Sequence, residues 1–132
     1  MAEAKLQEKK RFSLVKRAKS FTHAGRGIWI FLKSTHNAWI QLALLTCAVG
    51  FGFYFKISGT EWLALALASG LVLTAEAVNT AIELGLDFVS PEYHRAARDA
   101  KDVAAGAALI SALTAIVVGA IIFLPRIAER LQ

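Results

Sequence analysis

Three long apolar blocks, separated by short polar segments, account for most of the chain. They cover residues 39–55, 61–89 and 103–124, and the first and third contain no charged side chain. A helix needs about 20 mainly apolar residues to cross the hydrocarbon core of a bilayer. The pattern therefore predicts an all-α integral membrane protein with three transmembrane helices, of which the first is short for a full crossing.

Polar and helix-breaking residues set the predicted ends of these helices. Thr60 and Glu61 suit the N-cap and the acidic first turn of the second span. Pro91 is expected to end the second span and Pro125 the third, because proline lacks the backbone N–H that continues a helix. Residues 90–102 are therefore predicted to form a polar loop between the second and third spans.

The first 36 residues have a different pattern, because basic side chains alternate with aromatic and aliphatic ones between Phe12 and Phe31. Such a pattern is typical of a helix that lies on a membrane surface, with basic side chains toward the headgroups and aromatic rings in the apolar layer. We predict an amphipathic arm over residues 1–36. It is expected to be interrupted at Gly25 and Gly27 by a bend or a close backbone approach.

Composition places the chain among membrane proteins and limits its size. The 132 residues suffice for a single domain, residues 1–132, and 56% of them are hydrophobic, above the roughly 45–50% usual for soluble domains. The one cysteine, Cys47, excludes a disulfide framework. The net charge is +5, but a basic arm joined to membrane spans is expected to face anionic lipid, so no nucleic-acid partner is predicted.

The distribution of basic residues predicts how the spans are oriented. The arm and the 90–102 loop lie on the same side if all three helices cross, and together they hold twelve of the fifteen lysines and arginines. Cytoplasmic segments of membrane proteins carry the excess of basic residues. We therefore expect a multi-pass protein whose N-terminus and 90–102 loop are both cytoplasmic.

The second span contains polar side chains that fall within roughly 80° of one another at 100° per residue, namely Glu76, Asn79, Glu83 and Asp87. An ionised side chain at membrane depth costs several kcal/mol unless it faces a partner, water or a cation. This line can join helices as a polar seam, form a site, or line an ion or proton pathway through Glu76 and Glu83. Its cytoplasmic end lies toward Lys101, and metal-bound phosphate would suit both the acids and the lysine.

Three motifs occur in a fixed order and spacing: residues 76–83 (EAVNTAIE), 92–94 (EYH) and 100–107 (AKDVAAGA). Jointly they resemble the prokaryotic diacylglycerol kinase family, which consists of small three-span membrane kinases. The resemblance runs nearly end to end, from about Lys16 to Pro125. Residues 21–29 (FTHAGRGIW) are more similar to the undecaprenol kinase branch of Gram-positive bacteria than to the diacylglycerol kinases of Gram-negative bacteria.

The resemblance implies a homotrimeric enzyme of the cytoplasmic (inner) membrane of a bacterium, with each site shared between neighbouring subunits. Such an enzyme passes the γ-phosphate of ATP, bound with Mg²⁺, to a lipid alcohol, with undecaprenol favoured and diacylglycerol as the other acceptor. By position, Glu76 resembles the general base, Asn79 its support, and Glu83 a ligand of the phosphate-bound Mg²⁺. Family positions that contact the nucleotide fall on Lys16, His23, Glu83, Glu92, Tyr93, His94, Lys101 and Asp102.

The chain departs from the family pattern just before the first span. The family usually has a metal-binding glutamate there, in a pattern like S-E-x-N, whereas this chain has Ser34-Thr35-His36-Asn37, with Thr35 at the glutamate position. A threonine hydroxyl is neutral and a weaker ligand than a carboxylate. Metal affinity should therefore fall unless His36 or Asp87 substitutes. Either this member works with fewer ligands, or it is a catalytically impaired kinase-like scaffold or binding protein.

Overall fold

The structure is a computed structural model that describes the backbone from residue 14 and the side chains from residue 18, apart from residues 91 and 93. It contains four helices, α1 (Leu14–Ser34), α2 (His36–Tyr54), α3 (Gly59–Val89) and α4 (Arg95–Leu131), and no strand in the described backbone. The predicted all-α class is therefore confirmed. The helices α2, α3 and α4 are each long and apolar enough to cross a membrane, as the hydrophobic pattern predicted.

Helices α3 and α4 form an antiparallel hairpin, which is the most extensive helix pair of the described chain. Small side chains are buried along α4, at Ala104, Ala108 and Ser111. In membrane proteins such residues let helix backbones approach closely. We call the two ends of this hairpin the loop end, where α3 connects to α4 around residues 90–94, and the open end, where α3 begins and α4 finishes.

The open end contains the hydrophobic core cluster. Its buried members are Ile57, Leu65, Ile122 and Phe123, with Ala48, Phe55, Trp62, Ala64 and Val118 packed against them. Helix α2 meets this cluster at the buried Gly52, where an added β-carbon would lie 2.6 Å from the Trp62 indole. No real β-carbon fits at that distance, so glycine at this position allows α2 to pack against the start of α3.

Helix α3 begins with a capping box whose N-cap is Ser58. The backbone N–H of Ser58 donates to Glu61 Oε2 at 2.8 Å, and the backbone N–H of Glu61 donates to Ser58 Oγ at 3.4 Å. The prediction that Thr60 is the N-cap is wrong, because the backbone is extended at Ser58 and the helix starts directly after it. Arg126 Nη2 also donates to Glu61 Oε2 at 2.8 Å, which ties the start of α3 to α4.

Helix α4 extends beyond the predicted span 103–124 at both ends. It begins at Arg95, inside the segment predicted as a polar loop, and it continues past Pro125, which was predicted to stop it. The turns near the proline are held by Arg126, which donates to Glu61 and, from Nη1, to the backbone oxygen of Ile122 at 2.6 Å. These contacts offset the local helix-breaking tendency of one proline.

Helix α1 is continuous through Gly25 and Gly27, so the predicted interruption is wrong. A glycine lowers helix stability by about 1 kcal/mol relative to alanine, which a helix of 21 residues can tolerate. No other part of the described chain lies within 4 Å of the place where a β-carbon would be at either glycine. Within the described single chain, no close backbone approach is therefore observed at these glycines.

Candidate functional site

The polar line of α3 runs from Glu76 through Asn79 and Glu83 to Asp87, and its first residues are buried at the middle of the helix. Glu76, Asn79 and Thr80 are only 6%, 8% and 4% exposed. Thr80 Oγ1 donates to the backbone oxygen of Glu76 at 2.9 Å, a bond within the helix that satisfies its hydroxyl. Buried polar groups need hydrogen-bond partners, so the partners of the Glu76 carboxylate and the Asn79 amide define the site.

Glu76 has its side-chain partner on α2. Asn37 Nδ2, in the first turn of α2, donates to Glu76 Oε1 at 3.1 Å. No hydrogen bond reaches Glu76 Oε2 from the described residues, so this second oxygen can accept a further hydrogen bond. The sequence did not single out Asn37 as a site residue. The one feature of the sequence that could have indicated Asn37 is its position as the asparagine of the family pattern S-E-x-N, which falls on residues 34–37.

A second pair of amide and carboxylate lies one turn farther along α3. Asn79 Nδ2 donates to Glu83 Oε1 at 3.0 Å. The resemblance implied that Asn79 supports Glu76, but its amide nitrogen contacts Glu83 in this structure. Asn79 Oδ1 is buried and has no hydrogen-bond partner in the described part of the chain. Leaving a buried acceptor without a partner costs about 1–3 kcal/mol, so this oxygen is suited to bind a ligand.

Thr35 has a second buried oxygen without a partner among the described residues. It is the N-cap of α2, yet its hydroxyl makes no capping bond. Thr35 Oγ1, Asn79 Oδ1 and the Glu83 carboxylate are all hard oxygen donors, the kind that Mg²⁺ prefers. The described chain has no group of three His, Cys, Asp or Glu side chains that could hold a metal. The described residues thus include oxygen donors of the kind that suits Mg²⁺, and phosphate oxygens would have to complete its coordination.

The loop end places two cations beside carboxylates. Lys101 on α4 forms an ion pair with Asp87 on α3. Arg98 pairs with Asp102 at 3.8 Å, and these two side chains are 65% and 71% exposed. Exposed ion pairs contribute little stability, so a phosphate can replace a carboxylate beside either cation at small cost. Of the two suggested substitutes for the missing glutamate, Asp87 is paired with Lys101, and His36 is exposed with no side-chain hydrogen bond in the described chain.

The other residues predicted to bind nucleotide are less constrained. His23 is exposed on α1, and Glu92 and His94 are exposed in the connection between α3 and α4. The backbone of Lys16 belongs to α1, but its side chain lies outside the described residues, as does Tyr93. The single chain therefore forms two hydrogen-bonded pairs, Asn37–Glu76 and Asn79–Glu83, and leaves His23, Glu92 and His94 at its surface.

An apolar groove of about 350 Å³ runs between α3 and α4 beside Asn79. Its lining includes Thr74, Val78 and Ile82 from α3 and Ala100, Val103 and Ala107 from α4. A mostly apolar groove with a few polar groups at one place is typical of a binding site for an apolar molecule with a polar end. The groove thus suits an apolar chain whose polar end lies near Asn79.

The sequence model of prokaryotic diacylglycerol kinase matches residues 22–123. The chain belongs to this family. An undecaprenol kinase of Bacillus subtilis is 38% identical over 109 residues, which are 83% of this chain and 89% of that protein. A diacylglycerol kinase of Synechocystis sp. is 34% identical over 107 residues, or 80% of this chain and 61% of that protein. One of Helicobacter pylori is 30% identical over 107 residues, or 75% and 83%.

These matches confirm the predicted family and the predicted enzyme class, lipid kinase. The undecaprenol kinase is more similar to this chain than the two diacylglycerol kinases are, which supports the predicted branch. The matched segment contains Thr35 and every predicted site residue except Lys16.

Proposed function

We propose that this protein phosphorylates a lipid alcohol with ATP at the cytoplasmic face of a bacterial inner membrane. The observation that carries the proposal is the buried carboxylate of Glu76, which Asn37 holds by one oxygen only. This carboxylate lies one turn from Asn79, which lines the apolar groove, and two turns from Glu83. A lipid hydroxyl and a phosphate can therefore approach the same stretch of α3.

Glu76 is the general base in this proposal. Its Oε2 takes the proton of the lipid hydroxyl while the alcohol oxygen attacks the γ-phosphorus of ATP. A new oxygen–phosphorus bond forms as the bond to the β-phosphate oxygen breaks, which yields the phosphorylated lipid, ADP and a proton on Glu76. Phosphoryl transfer requires mainly positioning and charge neutralisation, so the protein needs no covalent intermediate.

Glu83 would hold Mg²⁺, together with the free oxygens of Asn79 and Thr35. When bound, the ion would neutralise negative charge on the transferred phosphate. The Lys101 ammonium would contact phosphate in exchange for Asp87. The remaining nucleotide contacts are assigned by family position and are Lys16, His23, Glu92, Tyr93, His94 and Asp102.

The groove between α3 and α4 would receive the apolar chain of the lipid, with its hydroxyl toward Glu76. We favour undecaprenol as the acceptor, because the undecaprenol kinase of B. subtilis has a higher identity to this chain than the diacylglycerol kinases compared with it. Diacylglycerol is the second acceptor, since those other relatives bear its name.

We further propose a homotrimer with shared sites, in which α1 lies on the cytoplasmic membrane surface as an amphipathic helix. The side chains of residues 18–30 are all exposed in the single chain, including the large apolar Ile28 and Trp29. They are available for contact with lipid or with a neighbouring subunit. His23 and His94 are exposed as well, which supports a nucleotide site completed by a second subunit.

A kinase assay on a panel of lipids tests this function. Purified protein in mixed micelles with Mg-ATP would be offered undecaprenol, diacylglycerol and ceramide, and phosphate transfer to each would be measured. We expect transfer, fastest to undecaprenol. No transfer to any of these alcohols at excess Mg²⁺ would contradict the enzymatic function, and transfer to diacylglycerol alone would contradict the preferred acceptor.

The alternative is an impaired kinase-like scaffold or binding protein, and it rests on the neutral hydroxyl of Thr35 at a metal-binding position of the family. It predicts that ATP binds without turnover, which equilibrium binding of ATP beside the lipid assay would reveal. An ion or proton pathway through Glu76 and Glu83 is less favoured. Such a pathway needs acids toward both sides of the membrane, and Glu61, the acid of α3 at the open end, is bonded to Ser58 and Arg126.

A further inference from the structure

We infer that Asn37 is the positioning residue of the general base: its amide, supplied by α2, fixes the orientation of the Glu76 carboxylate. This inference rests on the proposed function and deepens it, because it assigns the support of the base to a residue outside α3. The motif residue Asn79, which the resemblance placed in that role, donates its amide nitrogen to Glu83.

The contact has the chemistry that orientation requires. The carboxylate of Glu76 can only accept, so the Asn37 amide must present its NH₂ group, as the 3.1 Å separation of Nδ2 and Oε1 shows. Among the described residues it is the one side-chain hydrogen bond between α2 and α3. Because Glu76 is only 6% exposed, few water molecules can take the place of this bond.

The bond also decides which oxygen reacts. Glutamate has three rotatable side-chain torsions, and an unfixed carboxylate would turn both oxygens among several directions. With Oε1 accepting from Asn37, Oε2 is the carboxylate oxygen without a partner in the described chain and the one placed to accept a proton. A base that is displaced by about 1 Å or turned away loses on the order of 100-fold in rate. We therefore expect Asn37 to act on turnover and not on the binding of either substrate.

The decisive experiment compares Asn37→Ala and Asn37→Asp with Ser34→Ala, a matched control at the same helix junction. Asp is isosteric with Asn but places an acceptor against Glu76, and Ala removes the donor. Ser34 is exposed and bonds only the backbone of Ile30, so its loss leaves Glu76 untouched. Thermal unfolding and gel filtration identify the variants that remain folded, and kcat and KM for ATP and for the lipid are then measured.

We expect kcat to fall about 100-fold in both Asn37 variants, with both KM values within about twofold of wild type. The control should keep kcat within about twofold. A merely structural role would instead lower the unfolding temperature and change KM together with kcat. Folded Asn37 variants with kcat close to wild type would overturn the inference, as would an equal loss in Ser34→Ala.

A double variant tests the link between the two residues. Glu76→Asp shortens the base by one methylene, which takes its carboxylate out of reach of the Asn37 amide. Adding Asn37→Ala to it should then cost no more than about twofold further, whereas a second 100-fold loss would show that Asn37 acts elsewhere. Absence of lipid phosphorylation by the wild type would overturn the proposed function, and this inference with it; normal wild-type turnover with unaffected Asn37 variants would overturn the inference alone.

Discussion

The open end and the polar line of the α3–α4 hairpin differ in whether their polar side chains have hydrogen-bond partners. At the open end, Glu61 bonds both Ser58 and Arg126 beside the hydrophobic core cluster. By contrast, Asn79 on the polar line and Thr35 at the N-cap of α2 keep buried oxygens without a partner in the described chain. A satisfied polar network contributes to stability, whereas unsatisfied buried groups lower stability and remain available to a ligand.

If the proposed function is correct, this contrast separates positions that maintain the fold from positions that take part in phosphate transfer. Changes at the open end should alter the free energy of unfolding and leave the turnover of folded protein unchanged. Changes along the polar line should alter the turnover and leave the free energy of unfolding close to wild type, because active sites give up some stability for function. Substitutions at both places therefore test whether the division is real.

The largest effect is expected for Glu76→Gln. Loss of the base should lower kcat by about 1,000-fold, while the unfolding temperature stays close to wild type, because the amide oxygen of Gln can still accept from Asn37. The matched variant Glu61→Gln at the open end should lower the unfolding temperature and keep kcat. Lipid kinase assays and thermal unfolding measure both. A similar loss of turnover in the two variants would remove the distinction between the ends.

Gly52→Ala should give the next largest effect. Its methyl group would meet the Trp62 ring at 2.6 Å, so we expect a loss of about 1–3 kcal/mol in the free energy of unfolding through overpacking. Gly50→Ala, on the same helix with open space around it, should be neutral or slightly stabilising. Denaturant titrations of both variants measure this. Equal stability of the two would mean that α2 does not pack on Trp62 as described.

Ser58→Ala should lower the free energy of unfolding by about 1 kcal/mol, because α3 loses its N-cap. Thr60→Ala, at the position that the sequence suggested as the cap, should change it by less than about 0.5 kcal/mol. Unfolding titrations distinguish the two, and a larger loss at Thr60 would favour the original assignment of the cap. Neither change should affect kcat.

The smallest effect is expected for Thr35→Glu, which restores the family's carboxylate at the N-cap of α2. An added negative ligand should lower the Mg²⁺ concentration needed for half-maximal activity several-fold. Thr35→Gln, of the same size but neutral, should leave it unchanged. Binding of Mn²⁺, followed by electron paramagnetic resonance, measures the same change without turnover. An identical metal requirement in both variants would argue against a role of Thr35 in metal binding.

The spans could be predicted from the sequence because length and hydropathy alone determine whether a helix can cross a bilayer. Their ends could not. Pro125 has the local signal of a helix stop, yet Arg126 bonds both the backbone of α4 and Glu61, and these contacts keep the helix going. Ser58 and Thr60 are both good N-caps, and only the backbone path after α2 decides between them.

The site was predictable only where it lies on one helix. The spacing along α3 placed Glu76, Asn79 and Glu83 on one face, and all three take part in the hydrogen bonds observed there. Asn37 is 39 positions away from Glu76, and its contact depends on how α2 docks against α3. No periodicity within a helix can report such a contact, because it is a property of the packing.

The helix α4 is longer than the hydrocarbon core of a membrane is thick. Its 37 residues span about 55 Å at 1.5 Å per residue, while a hydrocarbon core is about 30 Å thick. With residues 103–124 in the bilayer, the first turns of α4, which carry Arg98, Lys101 and Asp102, would extend beyond the hydrocarbon core. In the proposed function, helix geometry would therefore set how far the phosphate contacts of α4 lie from the lipid alcohol.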